Sequence, residues 1–429
     1  MGLERRIVIR LVILAITLAS CGDGGSDSPA DALEFQANAY TRDNQREPGI
    51  IALAGGDIVI AWNSDGQDGD GFGVFVRRFS PELVPVADET QVNVATVGNE
   101  TLETLAPTAD GGFIVAWSDN TVGLARRYDA DGVAGDPYEI EGGFGFAAAI
   151  DGDGRFVVTT SDGCSRSTSY GDQSYGCIHA SRTEADGTLD DAPFQVGTAS
   201  YDYQGYLIDQ ERPLVAANRA GEFVVVWSEA SFYYGHHGDY EHFLYGRGFD
   251  ADQSPVGAQF RAGGSGYLHQ PGAADLGEAG EFVVVSRYCS SPYEIYGRSC
   301  YYAGIGGSRG AVGETSTPFN VVSQEGYDAR EYVDIDPSAA LNAVGEFVVV
   351  WERSPYDDAN TSVMAKVFDA AGTESGNAYP VHPESTSSQC CPRSLRLDDG
   401  AVIVVWETAD DGDGTGIFVR RLAGDGLGP

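Results

Sequence analysis

The sequence predicts an all-β chain folded as a seven-bladed β-propeller, each blade a four-stranded antiparallel sheet. Three observations predict it. First, one apolar phrase recurs seven times: DIVIAW (57–62), GFIVAW (112–117), RFVVTT (155–160), EFVVVW (222–227), EFVVVS (281–286), EFVVVW (346–351) and AVIVVW (401–406). Short Val/Ile runs bounded by Gly-Asp or Gly-Glu turns read as buried strands, and modules of about 40–60 residues are the size of propeller blades. Second, no segment has the apolar period of an amphipathic helix. Third, the seventh repeat lacks its last strand, and a segment matching that strand, EFQAN (34–38), stands ahead of the first repeat. A ring closed by an N-terminal outer strand needs this permutation, whereas an open solenoid does not.

The elements follow in chain order. In residues 1–20, Arg5, Arg6 and Arg10 form a positive region ahead of a short apolar run, 11–19. That run is too short for a spanning helix of about 20 residues, so it reads as a cleaved export signal. The ending Leu18-Ala19-Ser20-Cys21 resembles the lipobox of bacterial lipoproteins. The resemblance implies cleavage before Cys21, a diacylglycerol on its thiol and a further acyl chain such as palmitate on the new amine. Because Gly22 follows, it also implies sorting to the outer membrane of the cell envelope. Residues 21–33 are rich in Gly, Ser and Asp and read as a flexible tether. Residues 34–429 are the propeller.

Within each repeat a weaker strand, A, precedes the apolar run, B; examples are GIIAL (49–53), RPLVAAN (212–218) and RSLRL (393–397). The C strands are phrases such as GVFVRRF (73–79), CIHASRT (177–183) and GIFVRRL (416–422). After a DADG-like turn come D strands such as ETQVN (89–93), APFQV (192–196) and NAYPV (377–381). Trp62, Trp117, Trp227, Trp351 and Trp406 each end a B run and are expected to pack between blades. The alternation of FVVVW, DGDGxG and RxFDADG phrases resembles bacterial extracellular propeller proteins. That resemblance implies fold and compartment and hardly any function.

The chain carries 26 Lys and Arg against 64 Asp and Glu, a formal charge of −38. Removing the signal takes away three Arg and one Glu, leaving 23 against 63, or −40. This excludes nucleic-acid binding through a basic face and docking on anionic lipid through surface charge. The lipid on Cys21 is then the one expected membrane attachment, and the body is expected to be a monomer.

Seven cysteines less Cys21 leave six, an even number in an exported chain, so disulfides are expected. Cys164 and Cys177 flank one B–C loop, and Cys289 and Cys300 occupy the same places two repeats on; each pair would staple its hairpin. Cys390 and Cys391 are adjacent, and a vicinal disulfide is the simplest pairing.

In a propeller the B–C and D–A connections share one face. Here they are long and dissimilar, while the A–B turns (AGGD, ADGG, RAGE, EAGE, AVGE) are short and uniform. Tyr233, Tyr234, Tyr240, Tyr245, Tyr293 and Tyr296 gather in the B–C hairpins of two neighbouring blades, a candidate binding face for a protein or glycan. Two further B–C loops, SDGQDGDGFG (64–73) and DDGDGTG (410–416), offer Asp65, Asp68, Asp70, Asp410, Asp411 and Asp413 as candidate calcium ligands. They resemble the Asp-rich loops of integrin-type propellers and depart from EF-hand spacing. No nucleophile elbow, phosphate loop or dinucleotide fingerprint occurs, and the sialidase-type S-x-D-x-G-x-x-W turn fails at Ser64-Asp65-Gly66. The expectation is therefore a lipid-anchored binding propeller without catalysis or a firm cofactor. The alternatives are a polysaccharide hydrolase or lyase with carboxylates in the central pocket, and a passive acidic surface coat.

Overall fold

The computed structural model describes residues 34–119, 121–143, 147–168, 171–201, 207–232, 240–263, 267–289, 303–322, 332–355, 360–382, 387–409 and 412–423. Residues 1–33, where a signal and tether are expected, lie outside the described residues, Cys21 among them. The described chain forms seven sheets of four antiparallel strands. Blade 1 comprises Gln45–Ala52, Ile58–Asp65, Phe72–Phe79 and Thr90–Gln91, which are its A, B, C and D strands. The A strands of blades 2 to 7 are Thr101–Pro107, Ala147–Ile150, Asp209–Ala217, Tyr267–Leu276, Tyr332–Leu341 and Gln389–Arg396. Each A strand touches its equivalents in both neighbouring blades all the way round, blade 7 to blade 1 included, which puts the A strands innermost and closes the ring.

Closure is made as the sequence predicts. Glu34–Gln36 is the outermost strand of blade 7, with Phe35 opposite Val419 of the C strand Gly416–Leu422. The pairing continues past the strand: Ala37 N–H donates to Ile417 O at 2.7 Å, and Ile417 N–H donates to Asn38 Oδ1 at 2.8 Å.

The B strands are buried on both faces, hence their unbroken apolar runs. In blade 1, Ile58, Ile60 and Trp62 pack toward blade 7, against Ile403, Val405 and Val419. The alternate residues Val59 and Ala61 pack toward blade 2, against Val115 and Trp117. All five tryptophans lie in such interfaces and are at most 1 % exposed. Every A–B turn places a glycine at φ between 81° and 88°, from Gly56 in blade 1 to Gly400 in blade 7. The uniformity of these turns thus has a backbone cause, since other residues rarely adopt that conformation.

Two expectations need correction. The A strands begin earlier than GIIAL, RPLVAAN or RSLRL imply, because the chain pairs on both sides of a proline. Register shifts fall at Arg46/Gly49, Glu211/Leu214, Ile335/Ser338 and Cys390/Arg393, around Pro48, Pro213, Pro337 and Pro392. A bulge accommodates a residue that has no N–H to give the ladder. In blade 3 the expected loop around Cys164 is largely strand: Phe156–Thr168 pairs continuously with Gly171–Arg182. Cys164 and Cys177 are joined by a disulfide across this long hairpin, as expected. Of the second expected pair, Cys289 and Cys300, Cys300 lies outside the described residues.

Candidate functional site

The register decides which face is which. Gln45 pairs with Ser64 and Gln389 with Thr408, so each A strand starts where its B strand ends. The A-strand starts and the B–C hairpins therefore share one face, around the ring axis.

On this face the bulges place four non-glycine residues in the left-handed region: Glu47 at φ 53°, Arg212 at 50°, Asp336 at 54° and Cys391 at 57°. Each precedes a proline. The conformation costs an L-residue roughly 1–2 kcal/mol, and it recurs here at one level of the ring. Arg46, Glu47, Arg212 and Asp336 are exposed there, whereas the following prolines are buried.

Beneath them lies a carboxylate cluster where blades 6, 7 and 1 meet. Its members follow the tryptophan of their B strands: Glu352 after Trp351 and Glu407 after Trp406, with Asn63 after Trp62 in blade 1. Glu407 Oε1 accepts the Glu47 N–H at 2.7 Å. Asn63 Nδ2 donates to Glu47 Oε2 at 2.7 Å, and Asn63 Oδ1 accepts the Leu102 N–H of blade 2 at 2.7 Å. Burial, with Asp336 and Glu407 close by, pushes Glu352 up to about 7. Burial also raises Glu407, opposed by the Glu47 N–H, the two neighbouring thiols and Arg46.

A second buried polar set seals the blade junctions. Asn93 Oδ1 accepts the Val74 N–H at 3.0 Å, and its Nδ2 donates to Glu100 Oε2 at 3.1 Å and to Asp68 Oδ2 at 3.0 Å. Asn38 and Gln45 repeat the arrangement at the closing junction, 2.9 Å apart. Burial first, then the charges of Asp68 and Asp119, push Glu100 up to about 7.

Glu100 and Glu352 have folded values near 7 against about 4.5 unfolded, so between those pH values the fold holds protons that the unfolded chain has lost. Their contribution is complete below pH 4.5 and disappears as pH rises through 7. The melting temperature should therefore fall between pH 5 and pH 8. Glu100→Gln and Glu352→Gln should each flatten that fall by on the order of 1–2 kcal/mol after solvent screening. Differential scanning fluorimetry across pH checks this; parallel profiles for wild type and variants would refute it.

The residues expected from sequence divide. Asp68 is drawn into the Asn93–Glu100 junction, and Asp70 Oδ2 accepts the Gly98 N–H at 3.3 Å. Segment 43–45 sits between the two acidic loops: Asn44 O accepts the Asp65 N–H at 2.8 Å, and Gln45 N–H donates to Thr415 O at 2.7 Å. Asp413 is exposed. Asp410 and Asp411 lie outside the described residues, as do Tyr233, Tyr234, Tyr293 and Tyr296. Tyr240 opens the C strand Tyr240–Phe249. Tyr245 is a correction: it stands opposite Trp227 in that strand and packs into the interface of blades 3 and 4, away from the loop face.

Cys390 and Cys391 are a second correction, because their thiols are not bonded to each other. Consecutive Cα atoms are about 3.8 Å apart, shorter than the usual disulfide span of about 4.4 Å or more. The bulge instead turns both thiols toward Glu407, with the three donor atoms within 4.8 Å of one another. The hydrogen bond with Cys390, burial and the Glu407 charge all raise the Cys391 thiol. Cys164, Cys177 and His179 form a similar group, but there the sulfurs are bonded to each other.

No family model matches this sequence, and no curated protein matches it. Solved structures do. A Dyadobacter fermentans protein of unknown function is 12% identical, with 90% of this chain and 97% of that chain covered and a TM-score of 0.46. A Penicillium chrysogenum α-L-arabinanase complexed with arabinobiose is 12% identical over 92% and 99% of the two chains, with a TM-score of 0.44. Drosophila Plexin A, in complex with Semaphorin 1b, is 10% identical over 90% and 86%, with a TM-score of 0.46. At these identities and scores the likeness does not extend to function.

Proposed function

We propose that the chain is a lipid-anchored binding propeller of the bacterial cell envelope, held in the outer membrane through Cys21. Its ligand is a glycan taken at the mouth where blades 6, 7 and 1 meet. The observation supporting this is the recurrent left-handed bulge, which presents Arg46, Glu47 and Asp336 to solvent over Glu352 and Glu407. Repeated backbone strain at one level of a rigid ring is the kind of feature that function maintains. Exposed carboxylates and a guanidinium can accept from and donate to sugar hydroxyls in fixed directions.

The test is a glycan array and protein pull-down with a form lacking residues 1–33, beside Arg46→Ala and Asp336→Ala. Both side chains are exposed, so the ring should stay folded while affinity falls about tenfold, the loss of one to two charged hydrogen bonds. Capture of protein alone, or undiminished binding by both variants, would overturn the glycan reading.

Glu352 also supports a second reading, hydrolysis or elimination on a polysaccharide. A carboxyl poised near neutral pH can hand a proton to a leaving oxygen. Release of new chain ends, abolished by Glu352→Gln, would favour it over binding alone.

A further inference from the structure

We infer that Cys390, Cys391 and Glu407 form a binding site for one thiophilic divalent cation of the zinc class. The inference goes beyond the glycan reading and does not depend on it. Neighbouring side chains on a regular strand point to opposite faces, so two adjacent cysteines normally cannot serve one centre. Here the bulge around Pro392 and the left-handed Cys391 break the alternation. Both sulfurs then come within 4.8 Å of each other and of a Glu407 oxygen carried on the next strand. Glu407 is itself oriented from blade 1, through the Glu47 N–H at 2.7 Å. A carboxylate fixed from behind is how a metal ligand is held.

The donor set selects the cation. Two sulfurs and one oxygen suit zinc and its thiophilic analogues, while calcium and magnesium require oxygen alone. Three protein ligands leave a fourth position for water or a ligand atom. Binding exchanges two S–H bonds for two sulfur–metal bonds, the protons pass to solvent, and no electrons move. Glu407 is 6 % exposed and the two cysteines are half-buried, so the site is reachable yet sheltered.

The experiment uses the full chain in detergent, treated with a mild reductant that leaves the Cys164–Cys177 disulfide closed and then held without oxygen, with Co²⁺ as the optical probe and Zn²⁺ as competitor. A thiolate-to-cobalt charge-transfer band should saturate at one equivalent and vanish on adding zinc. Cys390→Ser and Cys391→Ser should weaken binding at least about tenfold, and Glu407→Gln should weaken it less, as the amide oxygen still accepts the Glu47 N–H. Should the variants misfold by tryptophan fluorescence, the wild type decides. Zinc should then slow alkylation of Cys390 and Cys391, read by peptide mass spectrometry. An undiminished band in folded Cys390→Ser and Cys391→Ser, unchanged alkylation with zinc, or isolation of the pair as a disulfide that reductant leaves intact would each overturn the site.

Discussion

A chain lacking residues 34–40 should not form a stable monomeric ring. Those residues supply the outer strand of blade 7, with Glu34 opposite Arg420, Phe35 opposite Val419 and Gln36 opposite Phe418. They also supply the Asn38 acceptor for Ile417 N–H, and the Glu34 carboxylate that lies 3.0 Å from His382 and 3.5 Å from Arg420. Removing them leaves Gly416–Leu422 as a bare apolar edge, a template for pairing between chains. Phe35 also packs against Phe79 of blade 1, with centroids 5.7 Å apart, so the loss reaches across the closing junction. The truncated chain should melt about 5 °C lower or elute as aggregate, from a loss of several kcal/mol. Phe35→Asp should do the same more mildly, keeping the backbone pairing. A monomer of unchanged melting temperature after truncation would show that closure contributes little to stability.

Cys21→Ser should abolish lipidation entirely. On the proposed anchor, thioether formation requires a sulfur nucleophile, and a serine oxygen does not replace it. Acyl chains contribute about 0.8 kcal/mol per buried CH₂, and several chains on one residue hold a protein stably on a bilayer. The body cannot substitute, because a charge of −40 is repelled by anionic headgroups. The variant should keep its signal uncut by the lipoprotein peptidase and take up no clickable fatty acid. Equal label in wild type and variant would remove the lipoprotein proposal and the localisation with it.

The blades were legible because each writes the same physics into a short window. Val/Ile runs mark strands buried on both faces, and positive-φ glycines mark the turns between them. The closing strand was legible for the same reason, EFQAN being a D strand found at the wrong end. The mouth was less so. Proline reads as a strand boundary, so the bulges at Pro48, Pro213 and Pro392 hid the first residues of three A strands. Glu352 and Glu407 each follow a noticed tryptophan, but only the ring brings Glu47 beside Glu407, 360 positions away. The junction asparagines did leave a signal: ETQVN and EFQAN both end in Asn, and in both that residue receives a C-strand N–H.

The closing pair also sets an order of events in biosynthesis. Among the described strands Glu34–Gln36 is the first to be made, and its partner Gly416–Leu422 is the last. The early strand must therefore stay available while all seven blades emerge, and no shorter nascent chain can complete the circle. Such a distant pairing makes the final step slow relative to the hairpins, which form from neighbours. Until then blade 7 offers an unmatched edge to any other chain in transit. A chaperone that shields this edge would act on yield while leaving the finished molecule unchanged.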